Sequence, residues 1–198
     1  MSQSVTALTA PAAVPELPSL ALRDNWWVLI PVLVLIAAIQ SHVLWALNYV
    51  HVFSAILWTG TDMFMGFILG PILRRVDFPT RRAIIMRLMP RMLYFMTTIT
   101  SVTTTAGWYL ASWLGLFQLP APQIWWLYAA LAIVAVMTVQ GLGILLPTNL
   151  RVYFEMRRPE PDGKKIAGLM RRYITVVAAQ AVLQFVIIFI MGRFVTGL

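Results

Sequence analysis

The chain has 198 residues, of which 60% are hydrophobic and only 11% charged. Soluble domains carry about 25% charged residues, so this chain has too little polar side-chain surface to cover itself in water, and lipid must be its main solvent. The absence of cysteine excludes disulfides, thiolate metal sites and a cysteine nucleophile. The sequence also lacks a hydrolase triad, a phosphate-binding loop and a dinucleotide fingerprint, and it leaves open whether the protein is an enzyme.

In chain order, residues 1–24 predict a flexible tail rich in Pro, Ala and Ser, without the basic start of a secretory signal. Residues 25–198 predict a single transmembrane helical domain. At about 20 residues per crossing, the apolar runs predict five helical segments, over 26–40, 43–73, 92–117, 124–147 and 170–195.

The expected fold is therefore an all-α integral membrane protein. We expect an up-and-down bundle of four core transmembrane helices plus an N-terminal apolar helix. Residues 26–40 are short for a full crossing, so this first helix is either spanning or re-entrant.

Arginine and lysine cluster in two segments, 74–91 and 151–172, whereas the loop over 118–123 carries no charge. Under the positive-inside rule, both basic loops are expected on the cytoplasmic side of a bacterial-type inner (plasma) membrane. The same bias explains the net charge of +8, so no nucleic-acid partner is expected. The expected partners are the lipid bilayer and other membrane subunits or further copies of the chain.

The polar groups of the second predicted span are the first functional candidates. His51 and Asp62 are eleven positions apart, so they share one helix face about 16 Å apart along the axis. Ionisable groups near the centre of a bilayer cost about 2.5–3.5 kcal/mol and usually have a function. Asp62, with Asn48, is a candidate proton or polar relay, or else Asp62 pairs with an arginine at the inner boundary.

The two histidines are the candidate cofactor-binding residues. His51 is an axial haem ligand or a metal ligand, or it is a packing histidine bonded to a carbonyl of a neighbouring helix. His42 is a second candidate ligand, or a wetted residue in the turn between the first two helices.

Two further patterns concern helix packing and hydroxyl groups. Gly66 and Gly70 form a small-xxx-small pattern that predicts the close approach of another helix. One face of the third predicted span carries four hydroxyls that either bond within their helix or line a polar pocket: Thr97, Thr100, Ser101 and Thr104.

Four methionines share a helix face in the basic segment and the start of the next span: Met86, Met89, Met92 and Met96. Thioethers are soft ligands suited to Cu(I), which makes Met92 and Met96 candidate copper ligands. The alternative is adaptable packing, since Pro90 interrupts the stripe and Arg87 and Arg91 lie beside it.

The strings HVFSAILWTGTDMFMGFILGPILRR and PRMLYFMTTITSVTTTAGW resemble a superfamily of small bacterial multi-span membrane proteins. The shared pattern is His-aliphatic, then aliphatic-Trp-x-Gly, a Pro-x-x-Arg ending, and a following span closed by Gly and an aromatic residue. The superfamily includes the membrane domain of copper-resistance D proteins, the haem-binding membrane protoporphyrinogen oxidase and uncharacterised relatives. The match covers roughly residues 48–110, and the layout of 144–172 is similar.

The resemblance implies that His51 ligates haem b, as the first-span histidine does in the haem-binding branch. That branch also uses a lysine in a later span, whereas the lysines of this chain are Lys164 and Lys165 in a loop. The resemblance therefore implies haem binding without implying the oxidase reaction. The second axial ligand would be His42, a methionine such as Met137, or absent.

Three functions follow as hypotheses. The first is a small polytopic membrane protein that binds haem b or a related redox centre through His51, as a subunit of a larger respiratory or oxidative complex. The second is membrane transport of copper or another small solute. The third is a non-catalytic scaffold subunit of a membrane complex.

Overall fold

The computed structural model describes residues 20–196, of which 89% lie in helices and none in a strand. The predicted tail over 1–24 therefore lies mostly outside the described residues. The helices are α1 (Leu29–Gln40, preceded by a 3-10 helix over Leu22–Val28), α2 (Leu44–Met63), α3 (Gly70–Arg75), α4 (Phe78–Trp113), α5 (Ile124–Thr138), α6 (Leu146–Met156) and α7 (Gly163–Thr196). A short 3-10 helix, Leu116–Gln118, lies between α4 and α5.

Two of the long helices contain a π-helical segment directly before a proline. Phe64–Leu69 joins α2 to α3 ahead of Pro71, and Val139–Leu145 joins α5 to α6 ahead of Pro147. Proline has no N–H to donate and its ring collides with the carbonyl four residues back. The wider π turn relieves that collision, so each helix continues past its proline instead of ending.

Four helical stretches of the described chain are long and apolar enough to cross a membrane: Arg23–Gln40, Leu44–Arg75, Ile124–Met156 and Gly163–Thr196. The predicted span over 92–117 is not among them, although its residues 92–113 lie within the 36-residue helix α4. Its hydroxyl-bearing side chains lower its hydropathy, whereas the arginines of α4 lie before it. Because α4 packs against α1, α2 and α6, it can tolerate those polar side chains where another helix covers them.

The basic segments are more helical than the sequence suggests. In the first, only Val76 and Asp77 interrupt the helix, and α4 begins at Phe78. Asp77 caps α4, because its carboxylate accepts a hydrogen bond from the backbone N–H of Thr80 at 3.0 Å. In the second, the connection is confined to 157–162. The long helices thus carry their arginines on extensions beyond the predicted spans.

The N-terminal helix runs alongside α4. The Tyr94 hydroxyl donates to the Leu20 carbonyl at 2.7 Å, and the Trp27 and Phe95 rings lie 6.2 Å apart. Further along, Leu35 and Ala38 belong to the same buried cluster as Leu47, Val50, Val102, Ala106 and Leu110. The contacts between the two helices therefore involve higher residue numbers of α1 as the residue numbers of α4 rise, which means that α1 and α4 are parallel.

Candidate functional site

A cavity of about 380 Å³ lies among α2, α4, the α5–α6 pair and α7. It is lined by a belt of polar side chains: Trp58, Asp62, Thr97, Thr100, Ser101, Thr104, Thr105, Thr138, Asn149, Tyr173 and Gln180. All four hydroxyls expected to share one face of the third predicted span belong to this lining. Both π-helical segments also reach the cavity, through Met65 on one side and Gly141 on the other. The two backbone irregularities therefore flank the same space.

Asp62 is held in the cavity wall by two glutamines of α7. Its Oδ2 atom accepts hydrogen bonds from the Gln184 amide at 2.7 Å and from the Gln180 amide at 3.3 Å. The glutamines lie one helical turn apart, which lets both amides reach the same oxygen. Among residues 20–196, no ion pair involves Asp62, so the arginine partner considered from the sequence is replaced by two neutral donors.

Two buried polar atoms near this carboxylate have no hydrogen-bond partner among the described residues: Trp58 Nε1 and Gln180 Oε1. Trp58 is 8% exposed and Gln180 is 4% exposed. Leaving such a donor or acceptor unsatisfied costs about 1–3 kcal/mol each. A polar ligand in the cavity could satisfy both atoms.

Three hydroxyls of the cavity wall donate hydrogen bonds to carbonyls of their own helices. Thr100 and Ser101 each donate to a carbonyl of α4 at 2.8 Å, and Thr138 donates to Val134 at 2.8 Å. A hydroxyl that donates elsewhere can offer a ligand only its lone pairs. Together with the Asp62 carboxylate and the Gln180 carbonyl oxygen, these three groups give the lining five hydrogen-bond acceptors.

Six methionines line the apolar part of the same cavity, together with leucine and isoleucine side chains: Met65, Met89, Met92, Met96, Met137 and Met170. Of the stripe considered from the sequence, Met86 is the exception, because it is buried in a separate cluster with Val152 and Tyr153. Neither Arg87 nor Arg91 lines the cavity, and the Arg87 guanidinium donates to its own helix at Ala83. The tertiary structure therefore brings Met92 and Met96 together with thioethers from three other helical segments.

The cavity opens sideways between α4 and α5. Ser101 and Thr105 on α4 are exposed, as are Thr138 on α5 and Leu142 in the following π-helical segment. The opening exposes a mixed hydroxyl and aliphatic edge on the flank of the helices rather than at their ends.

His51 lies outside this cavity, at the contact between α2 and α4. Its Nδ1 lies 2.9 Å from the Thr103 carbonyl oxygen, a bond in which the ring N–H donates. A Cβ at Gly107 would lie only 2.8 Å from Cε1 of the ring, so glycine is what allows the imidazole to approach the α4 backbone. This is the contact expected of a packing histidine. It also leaves Nε2 with the lone pair, as in a ligand histidine whose other nitrogen bonds to a carbonyl.

The proposed second axial ligands do not lie beside His51. His42 adopts a positive φ of 52° in the α1–α2 turn and stacks on Trp113 with ring centroids 5.5 Å apart. Trp113 and Thr103 are ten residues apart on α4, about 15 Å along its axis. Met137 packs with Trp58 and Ile99 instead. His51 could therefore hold a haem iron here without His42 or Met137.

The remaining sequence candidates lie on the outer surface of the chain. Asn48 is exposed and does not line the cavity. A Cβ at Gly66 would meet nothing within 4 Å, and Gly70 is close only to the carbonyl of its own neighbour Met65. These glycines therefore make no helix–helix contact within the described chain, because that face of the helix points outward.

No protein-family model matches the chain, and no curated protein or solved structure matches it at a significant level.

Proposed function

We propose that this protein binds a small cationic solute in the cavity between its membrane helices, with Asp62 as the charged anchor, and that it transports that solute. The observation that carries the proposal is the Asp62 carboxylate, which faces the cavity with two amide donors and no cation paired to it among the described residues. Ionisable side chains within membrane helices mark ion and substrate pathways.

The energetics favour a cation as the occupant. An ionised carboxylate without a counter-charge is costly in a low-dielectric interior, and it either takes up a proton or pairs with a cation. The hydroxyls of Thr100, Ser101 and Thr138 would add lone pairs rather than protons. The polar lining therefore complements a donor-rich or positively charged ligand.

The arrangement of the helices supports transport rather than static binding. Two corresponding hydrophobic segments, each interrupted by Gly and Pro, flank the cavity. In transporters, such paired interruptions in the two halves of the chain are pointers to the substrate site. The lateral opening would give a solute access from the side of the helices.

The lining leaves two classes of cation to be separated by experiment. Six thioethers favour a soft ion such as Cu(I), whereas the carboxylate and hydroxyl oxygens favour a proton, a hard ion or an organic ammonium. We would measure proton, Cu(I) and tetraalkylammonium flux into proteoliposomes. At least one flux should exceed that of empty vesicles and fall more than about tenfold in Asp62→Asn, the loss expected when a buried charge pair is broken.

The matched control is Glu160→Gln, which removes an exposed carboxylate in the 157–162 connection. This variant should transport like the unmodified protein. Equal flux with Asp62→Asn, in a protein that keeps its melting temperature, would show that Asp62 is not the anchor.

Haem binding through His51 is a second candidate, supported by the hydrogen bond that fixes Nδ1 as the donor. A bound haem would supply electron-transfer chemistry, and His51 would provide one axial nitrogen. The purified protein should then show a Soret band that disappears in His51→Ala and persists in His42→Ala. A colourless preparation after expression with added haem would exclude this role without affecting the transport test.

If both tests fail, the scaffold function is what remains, with the outward glycines Gly66 and Gly70 available to another subunit or a second copy.

For topology, we propose that all five helical units cross a bacterial inner membrane, with both basic segments in the cytoplasm. The parallel course of α1 and α4 supports a full crossing by α1. Three exposed tryptophans lie at the ends of the helices away from the basic segments, where a membrane–water interface favours them: Trp45, Trp108 and Trp125. The cysteine-free chain allows a direct test. Cysteines at Ser41 and Gln118 should react with an impermeant thiol reagent from outside intact cells, and a cysteine at Glu160 should not.

A further inference from the structure

A second pocket lies at the basic end of the helices, between α6 and α7. It has a volume of about 450 Å³ and is lined by Arg151, Phe154, Glu155, Arg158, Lys165 and Leu169. It does not share a residue with the cavity around Asp62. Three cations and one carboxylate leave a local charge of +2.

A buried carboxylate holds two of these cations in place. Glu155 is 3% exposed, and its oxygens contact Lys165 Nζ at 2.6 Å and Arg158 Nη1 at 3.1 Å. The turn itself is clamped to α4, because the Arg82 guanidinium donates to the carbonyls of Met156 and Arg158 at 2.9 Å each. The positive rim of the pocket is therefore preorganised, although Lys165 and Arg158 stay half exposed.

The pocket combines charged and apolar side chains. Lys165 and Arg158 lie near the 157–162 connection, and Leu169 lies one turn further into α7, in the direction of the apolar helix. Phe154 presents a 54% exposed ring on the same side as Arg151. Arg151 lies one turn before Glu155 on α6, so cations border the apolar Phe154 and Leu169 side chains on both sides. A phosphodiester bound to these cations can rest its acyl chain on the two apolar side chains, and basic pockets between transmembrane helices bind such headgroups.

We propose that this pocket binds the phosphodiester headgroup of an anionic phospholipid. The Arg151 guanidinium is the main recognition group, because no hydrogen bond or ion pair is described for it and it has the planar donor geometry that suits phosphate. Lys165 and Arg158 add charge from fixed positions, and Phe154 and Leu169 contact the upper acyl chain.

Native mass spectrometry of the purified full-length chain tests this assignment, with phosphatidylglycerol as the probe and phosphatidylcholine as the zwitterionic comparison. Phosphatidylglycerol should bind with a resolved stoichiometry and outcompete phosphatidylcholine. Arg151→Gln should weaken its binding about fivefold, the effect of one interfacial basic residue. The matched control is Arg91→Gln, which removes an exposed arginine of α4 outside the pocket and should leave the affinity unchanged.

Three outcomes would overturn the proposal. Equal losses of phosphatidylglycerol affinity in Arg151→Gln and Arg91→Gln would mean that the lipid is attracted to the basic end in general and not to the pocket. Equal binding of both lipids would mean that the negative charge is not recognised. Displacement of bound phosphatidylglycerol by excess inorganic phosphate, with phosphate itself retained, would assign the pocket to free phosphate. Lys165→Gln gives a second measure if Arg151→Gln proves unstable, and it should weaken binding in the same direction.

Discussion

Gly107→Ala is the sharpest test of the α2–α4 contact. The new methyl carbon would lie 2.8 Å from Cε1 and 3.2 Å from Nδ1 of His51, whereas carbon atoms in favourable contact are about 3.5–4.0 Å apart. The imidazole would have to retreat by several tenths of an ångström, away from its bond to the Thr103 carbonyl at 2.9 Å.

The expected cost follows from three opposing effects. Overpacking costs about 1–3 kcal/mol, and the lost hydrogen bond costs about 1 kcal/mol. Replacing a helical glycine with alanine returns about 1 kcal/mol. The free energy of unfolding should therefore fall by about 1–3 kcal/mol in sum, and the melting temperature by several degrees.

Thermal unfolding in detergent, measured by circular dichroism, checks this with a double-mutant cycle. In a His51→Ala background the obstruction is gone, so Gly107→Ala should become stabilising by up to about 1 kcal/mol. Gly60→Ala is the control, since a Cβ there meets nothing within 4 Å. A melting temperature that rises with Gly107→Ala in the unmodified protein would refute the described packing.

Three further predictions concern the ends of the helices. Tyr94→Phe removes the 2.7 Å bond to Leu20; it should cost about 1 kcal/mol and speed proteolysis near residue 20. Glu155→Gln removes two ion pairs of a buried carboxylate and should lower the melting temperature more than Asp24→Asn, which removes the exposed pair with Arg23. The backbone N–H of Thr80 lowers the pKa of Asp77, so the cap stabilises the fold above about pH 4 and is lost as pH falls through the lowered pKa. The difference in melting temperature between the unmodified protein and Asp77→Ala should shrink accordingly.

The electrostatics of the two pockets differ in a way that bears on function. Glu155 meets two cations at the end of the helices, so its charge is neutralised within the chain. Among residues 20–196, Asp62 meets only neutral groups, including the Gln180 and Gln184 amides, so neutralisation must come from a proton or a ligand. Of the two carboxylates, Asp62 is therefore the better candidate for a transport cycle.

Long apolar runs could be located from sequence because the cost of exposing them to water depends on composition alone. The second, fourth and fifth predicted segments lie within long apolar helices. Their ends were misplaced, since a helix in this protein continues through arginines and past prolines. The π-helical segments before Pro71 and Pro147 were not foreseen, because the way a helix absorbs a proline depends on its neighbours.

The tertiary structure changed the interpretation of the polar residues more than it changed the assignment of the helices. Asp62 lies more than a hundred residues before Gln180 and Gln184 in the sequence, and no periodicity within one helix could pair it with them. His51 stood out because histidine is rare in lipid, yet its contacts are with Thr103 and Gly107 on another helix.

By itself, the sequence determined that this is a helical membrane protein, because hydropathy, charge clustering and helix length are local properties summed along the chain. Only the tertiary structure decided which helix face meets which. Successive side chains point about 100° apart around a helix. The packing of that helix against its neighbours selects which of its side chains face inward. For this reason the cavity around Asp62, and the separation of His51 from it, could be read only once the helices were assembled.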